Sequence, residues 1–131
     1  MTWKRKTTAA ASALLFAVGG MLVTASPAVA DGPCPANQLC LYDGRHFTGN
    51  RIISRSTNAC FYPQDVSDRF RAIMSYDNNL PVHAMVWSYR YDTGGYSATR
   101  AMPTGGFSSD NGGTNLGAFE MDQVCMGHAR P

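Results

Sequence analysis

The chain has 131 residues, with 11 Lys+Arg against 9 Asp+Glu. Three of those cations, Lys4, Arg5 and Lys6, lie at the very start, so the 101 residues beyond residue 30 keep eight arginines and no lysine against nine acids, a formal charge of −1. That balance argues against a nucleic-acid partner held by phosphate neutralisation and against a polybasic patch for anionic membranes, and the length leaves no room for a second domain.

Residues 1–30 read as an export signal. After the positive start, Ala9–Ala25 is almost wholly apolar or small, and Ala28-Val29-Ala30 is an Ala-x-Ala cleavage site, which makes Asp31 the expected mature N-terminus. A membrane anchor is the alternative. The run is short for a span, however, and Gly19, Gly20, Thr24 and Pro27 interrupt or end it. The expectation is a secreted domain, residues 31–131, with no membrane association after cleavage. Cys34, Cys40, Cys60 and Cys125 all lie beyond the cleavage site, and an even count in a small exported domain predicts two structural disulfides. Four cysteines allow three pairings. A zinc site is the alternative, but His46, His83 and His128 are scattered and no Cys-x-x-Cys or His-x-x-x-His spacing occurs. No metal or cofactor is expected, nor a catalytic Cys–His pair.

The stretch from Cys34 to Gly49 joins two closely spaced cysteines to the pattern Tyr42, four residues, Phe47, one residue, Gly49. That pattern resembles the folded hairpin of βγ-crystallin Greek keys. The whole stretch, opening on Cys34-Pro35-Ala36 and continuing through Leu39-Cys40-Leu41-Tyr42, is similar to the mature start of the Streptomyces metalloproteinase inhibitor family. The resemblance implies a small crystallin-like domain that blocks an extracellular protease. It also implies that Cys34 pairs with Cys40, which leaves Cys60 for Cys125. In that family the reactive loop sits inside a second short disulfide loop, and no such Cys-x4-Cys loop occurs in the latter half of this chain.

Further along, helical periodicity is nearly absent, and Gly and Pro punctuate the chain about every ten residues, as short strands joined by turns require. Leu39–Tyr42 and Arg51–Ser54 read as the first two strands and Ala72–Tyr76 as another, with a turn at Asp77-Asn78-Asn79 ended by Pro81. Met85–Tyr91 is the clearest strand: Met85, Trp87, Tyr89 and Tyr91 alternate with smaller or polar residues. Such a row is either a carbohydrate platform or half of a sandwich core, and core is the expected reading. Tyr91 to Tyr96 repeats the aromatic spacing of Tyr42 to Phe47, but Ala98 stands where Gly49 stands in the first copy. The repeat is therefore a distorted hairpin or a coincidence. Residues 102–115 read as an exposed loop or a loosely paired edge, and a last strand is expected around Val124. The fold class is all-β, a single crystallin-like Greek-key sandwich.

Candidate chemistry is sparse. The calcium motif of crystallin-like domains, two Asn/Asp, two spacers and Ser/Thr-Ser, degenerates to Phe70–Ser75, where only Ser75 fits, and to Met121–Met126, where only Asp122 fits. Asp65 and Asp68, or Glu120 and Asp122 spaced for one face of a strand, mimic an acid pair, but a glycosidase needs two carboxylates across a cleft. No Gly-x-Ser-x-Gly, His-Glu-x-x-His or phosphate loop occurs. The reading is a monomeric non-enzyme whose partner is an extracellular protease, met by a surface loop: Asp77–Pro81, Thr93–Tyr96 or Thr104–Gly113. The rivals are a glycan- or protein-binding module using Trp87, Tyr89, Tyr91 or Tyr96, and a cell-envelope structural or stress protein.

Overall fold

In the computed structural model, residues 33–113 and 115–131 are described; the expected export signal lies outside them. The first half of this region holds β1 (Leu39–Tyr42), β2 (Arg51–Ser54), β3 (Cys60–Phe61), a single helical turn α1 (Pro63–Val66) and β4 (Ser75–Asn78). The second half holds β5 (Ala84–Arg90), β6 (Gly95–Met102), β7 (Phe107–Ser108) and β8 (Gln123–Met126). They build two four-stranded antiparallel sheets, ordered β2-β1-β4-β7 and β3-β8-β5-β6. In each half the fourth strand lies beside the first, as in a Greek key, while the third crosses to the opposite sheet. This order is compatible with the crystallin-like pattern.

Strand alternation decides which side chains meet. In β1, Leu39 and Leu41 point into the sandwich and join Ile52, Phe70, Ile73 and Leu80 in one buried cluster. Cys40 and Tyr42 point outward, where Cys34 and Phe47 cover them in a second, smaller cluster. β1 is thus buried on both faces, although it belongs to a thin two-layer domain. From the second sheet, Ala84, Val86, Met102, Val124 and Met126 complete the main core. Asn78 is a polar side chain buried beside them. Asn78 donates from Nδ2 to the carbonyls of Val82 and Met102 and accepts from the Leu80 amide at 3.0 Å, so its burial is compensated.

Three sequence expectations are displaced. The strand expected at Ala72–Tyr76 runs from Ser75 to Asn78; Ala72 to Met74 precede it as irregular chain. The turn expected at Asp77-Asn78-Asn79 therefore begins later, and Asn78 and Leu80 are buried, so Asp77–Pro81 is not an exposed loop. The aromatic row of β5 is also turned around. The buried residues of this strand are Ala84 and Val86, whereas Met85, Trp87 and Tyr89 are half-exposed and Tyr91 is 79% exposed. The row lies on the outer face of the second sheet and does not form half of the core.

Candidate functional site

The segment Tyr42–Gly49 links β1 to β2. Tyr42 and Phe47 meet edge to face with centroids 5.7 Å apart. His46, Phe47 and Gly49 take positive φ, 56°, 59° and 85°. Two clamps hold this backbone. The Asp43 carboxylate accepts from the Asn50 amide at 2.7 Å and from the Asn50 side chain at 2.9 Å. The Ser75 hydroxyl donates to the Gly44 carbonyl at 2.6 Å and accepts from the Phe47 amide at 3.0 Å. The one hydroxyl that fits the first calcium motif is thereby engaged on both sides. Nothing in Tyr42–Gly49 read alone signals Ser75 as its clamp.

The second copy of the spacing, Tyr91 to Tyr96, folds differently. Seven residue pairs run from Ala84↔Met102 to Arg90↔Gly95 with a bulge at Val86/Trp87, and Ala98 sits within β6 opposite Trp87. The tip is Tyr91-Asp92-Thr93-Gly94, all exposed. The amides of Thr93 and Gly94 both donate to the Arg90 carbonyl, at 3.3 and 2.8 Å, with Gly94 at φ 75°. Arg90 grips Asp92 with two hydrogen bonds, and this pairing holds the Asp92 carboxyl below its ordinary pKa. Under the tip, Tyr89 stands edge-on to both Tyr91 and Tyr96, at 5.0 and 5.2 Å. The result is a short protruding turn on a stiff aromatic base.

The rest of the outer face is knitted in the same way. The Gln123 side chain donates to the Tyr62 and Tyr96 hydroxyls, both at 3.0 Å. The Tyr96 hydroxyl bonded to Tyr62 raises the Tyr62 phenol pKa. The Arg130 guanidinium lies 5.3 Å above the Trp87 ring. The disulfides are Cys34–Cys40 and Cys60–Cys125, the second joining residues that face each other across β3 and β8. No free cysteine remains among the described residues.

The acid pairs do not assemble. Asp65 and Asp68 are both exposed. Glu120 is exposed while Asp122 is buried, and residues 119–121 form a turn, so these two do not share a strand face. His46, His83 and His128 are all exposed, and no group of three potential metal ligands occurs among the described residues. Residues 104–113 hold the two-residue edge strand β7, with Phe107 69% exposed.

The described residues form an all-β domain of two antiparallel sheets stapled by two disulfides. The chain belongs to Peptidase inhibitor family I36, whose family model matches residues 27–99, from before Cys34 to within β6. It is therefore a peptidase inhibitor-type protein and not an enzyme, and its partner class is a protease. No curated protein and no solved structure matches the chain significantly.

Proposed function

We propose that residues 1–30 are a cleaved export signal and that residues 31–131 act outside the cell as a monomeric inhibitor of a metalloprotease. In this reading the exposed tip Tyr91–Gly94 meets the enzyme. Family membership supports the partner class, and the similarity of Cys34–Gly49 to the metalloproteinase inhibitor family supports the metal-dependent target. The observation that carries the choice of element is the tip itself. It is the exposed turn with an ion pair, two hydrogen bonds to one carbonyl and an edge-on aromatic base. A loop ordered before binding loses less entropy on docking.

The two bridges span 6 and 65 residues, so neither frames a short loop in the latter half. Non-covalent contacts alone therefore order the tip, and inhibition is expected to be weak or narrow. The assay titrates the purified domain against thermolysin and against subtilisin. Inhibition of thermolysin alone, weakened at least about tenfold by Asp92→Ala together with Thr93→Ala, is the expected result. Tight inhibition of both enzymes contradicts the argument from the missing bridge, and inhibition untouched by the double substitution moves the contact elsewhere.

The outward turn of the β5 row favours a second reading, a glycan-binding module. Its rings stand at 73–80° to one another, however, and Arg130 covers Trp87. Sugar stacking needs an open, flat ring face, and in this row Tyr91 alone is largely exposed.

A further inference from the structure

Beside the hairpin, a cavity of about 200 Å³ is lined by Tyr89, Tyr91, Phe119, Met121 and Asp122. Three aromatic residues, a methionine and one acid thus share its wall. Two of the rings are unusually exposed for their size, Tyr91 at 79% and Phe119 at 57%, while Asp122 is only 1% exposed. The Asp122 carboxylate accepts from the Phe119 amide at 3.3 Å. The Ser88 hydroxyl and the Tyr89 and Ala118 backbone add further hydrogen bonds. No basic side chain lines the cavity, and no cation acts on the Asp122 carboxyl among the described residues.

We propose that this cavity is a binding site for an alkyl cation, the ammonium or guanidinium end of a basic side chain. The chemistry is complementary in both parts. Ring faces attract a cation by their quadrupole, most strongly when water is excluded, and the methylene stem fits against Tyr, Phe and Met. The Asp122 carboxylate, buried behind the rings with its oxygens held by the protein's own hydrogen bonds, supplies the opposite charge through the field and not by direct contact. Desolvation already disfavours its charged form, and an entering cation relieves that cost. The volume suits one long side chain and is too small for a helix. The assignment stands independently of protease inhibition, although Tyr91 belongs to both the tip and the cavity, so a basic residue on whatever the tip meets lies within reach.

The test uses the intact mature protein with no protease present. N-acetyl-lysine methylamide, N-acetyl-arginine methylamide and tetramethylammonium are titrated while the ring and side-chain signals of Phe119, Tyr91 and Met121 are followed by NMR, with N-acetyl-norleucine methylamide as the uncharged control. Saturable shifts confined to these residues are expected from the cations and not from norleucine, with Phe119→Ala weakening binding at least about tenfold. Stronger binding of the amino-acid probes assigns the site to a basic side chain; stronger binding of tetramethylammonium assigns it to a small quaternary amine. Phe119 is largely exposed, so its replacement leaves the fold intact, and Asp122→Asn provides a second variant. The proposal is overturned if no cation gives a saturable shift, if norleucine matches lysine, or if Phe119→Ala binds as the parent does.

Discussion

Gly49 shows how much one missing Cβ decides. At φ 85° the residue is in left-handed space, and a Cβ there would run into the Asp43 carboxylate and the Gly44 backbone. Asp43 is the clamp on Asn50, so the clash falls on the group that holds the turn. Gly49→Val should therefore cost on the order of 1–3 kcal/mol from strain alone, read as a lower melting temperature. Ala98→Gly, in an exposed strand position, should cost no more than about 1 kcal/mol. Equal melting temperatures for Gly49→Val and the parent would disprove the clamp argument. Asp77 makes a second point at this scale. Burial raises its folded-state pKa above 3.8, so the folded protein binds that proton more tightly than the unfolded chain does. Its contribution is most favourable below the ordinary carboxylate range and is lost as pH rises through the folded value. Asp77→Asn should match the parent in acid and melt higher toward neutrality; a difference independent of pH would refute this.

Among the elements, the two staples differ in the loops they close. Constraining an unfolded loop of 65 residues contributes about 4 kcal/mol and a loop of 6 about 2 kcal/mol on the chain-entropy account. Replacing Cys60 and Cys125 by serine should lower stability to denaturant more than replacing Cys34 and Cys40; the reverse order would place the larger effect in the outer cluster that Cys34 shares with Tyr42 and Phe47. β1 and β2 were legible residue for residue, because a turn of Asp43-Gly44 and a glycine at 49 bound them sharply. β5 was legible as a strand but not in its facing. A period of two tells which side chains share a face, and only the opposite sheet tells which face is covered. Here small Ala84 and Val86 fill the narrow interior and the large rings stand outside. The cation cavity was not legible at all. Asp122 and Phe119 sit in irregular chain, where no periodicity signals that one is buried and the other exposed.

For the whole molecule, the exchange of third strands matters most. β3 completes the sheet of the second half and β7 completes that of the first. Neither half can build its full sheet alone, and each would expose Leu39, Leu41, Val86 or Val124 that now face one another across the core. Residues 33–80 and 84–131 made separately should show little ordered β signal by circular dichroism and recover it when mixed; an independently folded half would refute the exchange as a determinant of stability. The long bridge works at the same scale. Cys60 lies before the β5–β6 turn and Cys125 after it. A peptidase that cuts within Tyr91–Gly94 therefore releases nothing: both pieces stay covalently tied, with the cut ends still paired through β5 and β6. Such a nick is reversible in principle, because the new amine and carboxylate are held side by side and can be rejoined by the enzyme that parted them.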